Sequence, residues 1–207
     1  TGHLDDSAIE RTIAALGICA ERMRDRSASR IRGVATEACR VALNGDAFLD
    51  RVKAETGLHL ETISASEEAD STLAGCSALL NKQRPRAVVF DIGGGSTEVM
   101  WTECSKGGKT KILDMLSLPY GVVSLAEQYG GGSLTVPDYE KIAERVTNDL
   151  ASFDAHNGIT GQVSGDNVQM LGTSGTVTTV GAFHLGLTRY ERARVDGLAV
   201  DRKRIAE

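Results

Sequence analysis

The sequence predicts an α/β fold, and three observations carry that expectation. Segments with helical spacing alternate with short β-like runs. The most apolar run, Ala87-Val88-Val89-Phe90-Asp91-Ile92, has the near-continuous hydrophobicity of a strand covered on both faces. The chain is 41% hydrophobic but only 4% aromatic, with 23 glycines in 207 residues, which suits an interior of Ala, Val, Leu and Ile between glycine-bearing turns. That length corresponds to one or two domains. A net charge of −5 disfavours a nucleic-acid binder that depends on a broad basic surface. Cys19, Cys39, Cys76 and Cys104 form no CxxC pair and no metal-ligand spacing, which argues against a disulfide scaffold or zinc ribbon and for a reduced, cytoplasmic setting. No apolar run approaches the roughly 18 residues of a membrane span, and Thr-Gly-His-Leu is no signal peptide, so a soluble protein without a membrane partner is expected. Residue 1 is Thr and helical patterning begins almost at once, which suggests an interior fragment.

Taken in order, Ser7-Ala8-Ile9-Glu10 has the form of a capping box, followed by Ile9, Ile13, Leu16, Ala20 and Met23 on one helical face. Ile31 to Ala35 reads as a strand, Arg40 to Leu43 as a short helix, and Ala47 to Thr56 as a helix ended by Gly57. Leu58 to Ile63 alternates as a strand, and Ser64-Ala65-Ser66-Glu67 is a second capping box opening a helix to about Leu80. After a polar break at 81–86, taken as the boundary between domains 1–85 and 86–207, three β-like runs follow: 87–92, 96–101 and 110–118. Helices are expected over 122–129 and 139–153, a strand over 168–171, and a helix over 177–185.

Asp91-Ile92-Gly93-Gly94-Gly95-Ser96-Thr97-Glu98 is the most informative segment. Glycines let successive backbone N–H groups approach anionic oxygens, and Ser96 and Thr97 add hydroxyl donors. A Rossmann or Walker loop opens a helix, whereas this loop opens a strand, so both are disfavoured. The competing account is a glycine hairpin with no ligand. Asp91 and Glu98 could hold a divalent cation beside phosphate oxygens, and oxygen ligation suggests magnesium; alternatively Glu98 is the solvent-facing member of an alternating strand. Glu67 is explained by capping Ser64, and Glu68 could simply favour the positive helix end. Arg40 follows a strand, a common place for a ligand-facing residue, though a solvated helix arginine is the default. The arginines at 22, 24, 26, 30 and 32 read as a solvated face. Gly172-Thr173-Ser174-Gly175-Thr176 is a second strand-end glycine turn that could accept phosphate or a sugar, or be a plain tight turn. His3, His59, His156 and His184 show no metal spacing.

Ala35-Thr36-Glu37-Ala38-Cys39-Arg40 with Asn44, Ile63-Ser64 with Glu67-Glu68-Ala69, and Val89 to Glu98 together resemble the exopolyphosphatase and guanosine pentaphosphate phosphohydrolase (Ppx/GppA) family. Leu118-Pro119-Tyr120-Gly121-Val122 and Gly172 to Thr176 extend the resemblance over nearly the whole chain. It implies actin-like ATPase architecture, built from ribonuclease-H-like domains, and hydrolysis of terminal phosphoryl groups of polyphosphate or guanosine pentaphosphate. Carried over by position, Glu68 is similar to the family's water-activating acid and Glu98 to the acid after the glycine loop. Arg40 matches the substrate-facing arginine, Gly93, Gly94, Gly95, Ser96 and Thr97 the phosphate hairpin, and Asp91 the strand-end acid near the metal. Gly172, Ser174 and Gly175 are assigned to substrate binding. The chain departs from the pattern at Ala65-Ser66, where the family usually has a glycine, and the family's first phosphate hairpin is absent from these residues. An exposed sheet edge left by that absence makes a homodimer an expectation. An actin-like kinase and a non-catalytic nucleotide or polyphosphate sensor are the rival readings.

Overall fold

The computed structural model describes residues 2–105, 109–163 and 167–201. Two compact units divide the chain, Thr1–Glu68 and Ala69–Glu207.

In the first unit, α1 (Asp6–Asp25) starts earlier than the Ser7 capping box predicts. The Asp5 carboxylate accepts the backbone N–H groups of Ser7 and Ala8 at 2.9 and 3.2 Å, and so caps the helix in place of Ser7. Strand β1 (Gly33–Ala35) leads to α2 (Glu37–Val41), then α3 (Gly45–Thr56) ends at Gly57 with φ 74°, the left-handed cap that its glycine predicts. Strand β2 (Leu60–Thr62) runs parallel to β1. Ile9 and Ile13 of α1 bury against Phe48 and Val52 of α3, with Leu58 and Leu60 packed beside them.

Helix α4 (Ala65–Cys76) crosses the boundary between the units and closes in a 3-10 turn, Ser77–Leu79. The sequence places that boundary near 81–86; the units part at Glu68 because Ala69, Leu73 and Cys76 bury with Ala87, Val89 and Met100 of the sheet that follows. Strands β3 (Arg86–Ile92), β4 (Thr97–Glu103) and β5 (Lys111–Leu118) are successive and antiparallel, and β6 (Val168–Thr173) pairs parallel to β3, giving the order β5-β4-β3-β6. The run 87–92 is therefore an interior strand, as its apolar character predicts. This mixed order, with its antiparallel trio, is that of the ribonuclease-H-like unit expected.

Between β5 and β6 lie α5 (Val122–Gln128), α6 (Val136–Asn157) and α7 (Ile159–Gln162). Helix α6 exceeds the 139–153 expected, because Thr135 caps the Asp138 N–H, Pro137 occupies the first turn, and Gly158 at φ 60° ends it. Helices α8 (Ser174–His184) and α9 (Arg192–Val195) complete the unit. Alternation sorts the sheet into two faces. Ala87, Val89, Met100 and Cys104 meet α4, while Val99 and Trp101 bury with Phe153, with Val88, Phe90 and Ile159 packed against them.

Candidate phosphate-binding site

In the first unit Arg40 and Glu68 come together across 28 residues of sequence. Arg40 NH1 donates to Glu68 Oε2 and to the Ile63 carbonyl, both at 2.8 Å, while Nε and NH2 donate to Glu37 Oε2 at 3.1 and 2.8 Å. Their side chains are only 17% and 22% exposed, so the pair lies partly out of water. Burial works against the Arg40 charge, but hydrogen bonds to Glu68 and Glu37 outweigh it and raise its pKa. The arginine read as substrate-facing thus has its fork turned onto two carboxylates, and it braces Glu68. Ser64 caps as predicted, its Oγ accepting the Glu67 N–H at 3.1 Å. The Glu67 carboxylate does not return to close the box; it pairs with Arg32.

In the second unit Asp91 and Glu98 are register partners on β3 and β4, so both side chains leave the same face of the sheet. Asp91 Oδ2 accepts from Thr72 Oγ1 at 3.3 Å, whereas Oδ1 is buried with no hydrogen-bond partner. Glu98 is 2% exposed and its Oε1 accepts from Ser117 Oγ at 3.0 Å. Glu98 is therefore neither solvent-facing nor part of the open cleft described below. Among the described residues no group of three His, Cys, Asp or Glu could hold a metal ion. The unpartnered Asp91 oxygen is a hard donor of the kind magnesium takes, but it is buried and Asp91 is not among the residues that line the open cleft.

The glycine turn is a closed hairpin, with Gly93 N–H donating to Ser96 O at 3.0 Å. Ser96 is buried, and Thr97 Oγ1 donates to Tyr120 O at 2.6 Å, so the Thr97 hydroxyl proton expected for phosphate is already committed. The backbone N–H groups of Gly94 and Gly95 meet no acceptor among the described residues. Gly93 and Gly94 border an open cleft of about 620 Å³ with Ile92, Val122, Ser174, Gly175, Thr176, Thr179 and Val180. Ser174, Gly175 and Thr176 form the first turn of α8, whose N-cap Thr173 makes no side-chain cap bond, so its N–H groups and positive dipole end lie on the cleft. Ser174 holds φ 78°, uncommon for a residue with a side chain.

Gly172 has a different reason to be glycine. It sits in β6 opposite Phe90, and a Cβ there would lie 2.6 Å from the Phe90 ring and 2.8 Å from Val177. Packing explains it, and it does not line the cleft. Thr72, Ser117 and Ser124 escape sequence reading because each partner lies 19 to 29 residues away, with no spacing rule to connect them.

The profile of the Ppx/GppA phosphatase family matches residues 1–205. A Ppx/GppA family member from Aquifex aeolicus is 30% identical, with a TM-score of 0.63, over 94% of this chain and 58% of its own. A solved exopolyphosphatase-like protein is 28% identical with a TM-score of 0.70, over 91% of this chain and 57% of its own. An exopolyphosphatase from Cytophaga hutchinsonii, at 20% identity and a TM-score of 0.76 over 90% of this chain and 57% of its own, shares the fold. The chain thus spans under two thirds of the length of these structures. With the motifs in order, the ribonuclease-H-like sheet and a glycine hairpin beside an uncapped helix end, the chain belongs to the Ppx/GppA phosphatase family.

Proposed function

We propose that the protein is a phosphohydrolase that releases terminal orthophosphate from inorganic polyphosphate, from guanosine pentaphosphate, or from both. The observation that carries the reading is the cleft where the hairpin of Gly93 and Gly94 meets the α8 N-terminus. Uncommitted N–H groups and a helix dipole favour phosphoryl oxygens without requiring a basic surface, in keeping with the net charge of −5. Thr176 at the same turn and the apolar walls Ile92, Val122 and Val180 leave room for a ligand longer than one phosphate.

In this reading Glu68 orients the attacking water and takes its proton, with Arg40 fixing the carboxylate's direction. Phosphoryl transfer asks little covalent chemistry of the protein, so positioning and charge stabilisation supply most of the rate. Asp91 would hold magnesium, which when bound neutralises developing charge on phosphate oxygens. Glu98 would keep the β3–β4 end rigid behind Asp91 while paired with Ser117. The division of the actin-like plan between the two units and association of two copies through an open sheet edge belong to the same proposal; light-scattering mass reads the latter.

The test is orthophosphate release by the full-length protein with magnesium from long-chain polyphosphate, from guanosine pentaphosphate, and from ATP with sugar acceptors. Release from either of the first two supports the reading and separates the substrates. Phosphoryl transfer confined to an acceptor would replace it with a kinase, and binding without turnover would replace it with a sensor.

A further inference from the structure

Resting on the phosphate-hairpin reading above, we propose that the first turn of α5 aims the hairpin's N–H groups, with Ser124 as a positioning residue. Val122 N–H donates to Gly93 O at 3.0 Å, and the N–H groups of Val123 and Ser124 both donate to Gly94 O, at 2.8 and 3.1 Å. The Ser124 hydroxyl, with one proton to give, lies 3.1 Å from Gly95 O and from Gly121 O alike, bridging the two, and its Oγ accepts the Gly121 N–H at 2.9 Å. Three consecutive hairpin carbonyls are thus drawn onto one helix end. That end needs them, because the first N–H groups of a helix have no partner within it.

The consequence follows from peptide geometry. A trans peptide sets its carbonyl and the next residue's N–H on opposite sides, and no peptide bond in the described residues is cis. With the carbonyls of Gly93, Gly94 and Gly95 held against α5, the N–H groups of Gly94, Gly95 and Ser96 point away from it. Successive N–H groups aimed one way form an anion-binding concavity. The approach is too close for any side chain at Gly121, where a Cβ would lie 2.2 Å from Gly94 O. The orientation of the hairpin is therefore imposed by α5, since its one internal bond, Gly93 N–H to Ser96 O, closes the turn without choosing which way the intervening peptides face.

Isothermal titration of the full-length protein with inorganic tripolyphosphate tests this. Ser124→Ala removes the hydroxyl and Ser124→Thr restores it. Val122→Pro deletes the donor to Gly93 together with the valine side chain; it stands at the first helical position after Gly121, whose φ −114° and ψ 166° suit a residue before proline. Val122→Ala controls for the cleft-lining side chain. Ser124→Ala is expected to bind about tenfold more weakly than wild type and Val122→Pro about tenfold more weakly than Val122→Ala, the scale of losing one hydrogen bond, with Ser124→Thr within about twofold of wild type. If wild type binds and both Ser124→Ala and Val122→Pro bind equally well, the α5 proposal is overturned and the hairpin reading stands. Equal losses in Ser124→Ala and Ser124→Thr would also overturn the role given to the hydroxyl. Failure of wild type to bind would remove the hairpin reading and this proposal with it. If Ser124→Ala fails to fold, the comparison of Val122→Pro with Val122→Ala decides alone.

Discussion

Arg40 holds Glu68 by a 2.8 Å hydrogen bond from NH1 to Oε2, while the other side of its guanidinium grips Glu37. That bond holds the carboxylate to which the proposed function assigns the activation of water. Glu68→Gln keeps the shape and removes the basic oxygen, so orthophosphate release by the full-length enzyme is expected to fall at least about 100-fold with little change in substrate affinity. Steady-state rates together with tripolyphosphate titration check both halves; wild-type turnover in a folded variant would remove Glu68 from the mechanism.

Arg40→Lys separates bracing from substrate contact. Lysine keeps the charge but cannot span Glu37, Glu68 and the Ile63 carbonyl as the planar fork does. The expected result is a kcat lowered by about tenfold or more with KM nearly unchanged. A raised KM with unchanged kcat would support the substrate-facing role that the family resemblance implies.

Asp91→Asn tests the cation. Asp91 Oδ1 is buried without a partner, so removing the charge takes away the carboxylate proposed to hold magnesium. Tripolyphosphate binding that strengthens with added magnesium in wild type should lose that dependence in the variant. An unchanged magnesium response would place the cation elsewhere.

Gly94 and Gly172 should respond oppositely to alanine. A Cβ at Gly94 meets only Val123 of α5, at 3.4 Å or beyond, and Gly94 has no positive φ, so the fold tolerates Gly94→Ala. At Gly172 the Phe90 ring and Val177 leave no room, and Gly172→Ala should cost about 1–3 kcal/mol in overpacking. Denaturant melts on both variants give the comparison: normal stability for the first, lowered stability for the second.

The thiols should react in order of burial. Cys19 is exposed, and Cys76 and Cys104 are buried. Burial pushes the Cys76 thiol up, with the Asp91 charge adding to it, and burial also raises Cys39. A thiol whose pKa is raised holds less thiolate at neutral pH, so alkylation followed by mass spectrometry should modify Cys19 first and leave Cys76 until unfolding. Prompt labelling of Cys76 in the native protein would contradict this packing.

The order of the longer elements, the interior strand at 87–92 and the glycine turn after it were legible in the amino-acid sequence, though not the short α7 and α9, because hydrophobic period, caps and glycine act within a few residues. So was the family, because its motifs are local words in a fixed order. Local pattern missed where helices start when a stronger cap stands just outside, as Asp5 does for α1 and Thr135 for α6. It also could not tell a glycine that borders the open cleft from one required by packing: Gly94 and Gly172 look alike until Phe90 is seen against the second. Only the tertiary structure turned the Arg40 fork onto Glu68, buried Glu98 behind Ser117, left one Asp91 oxygen unpartnered and seated the hairpin carbonyls on α5. Each of these joins residues far apart in the chain, and such contacts arise from packing and hydrogen-bond satisfaction in the folded interior, on which no sequence period bears.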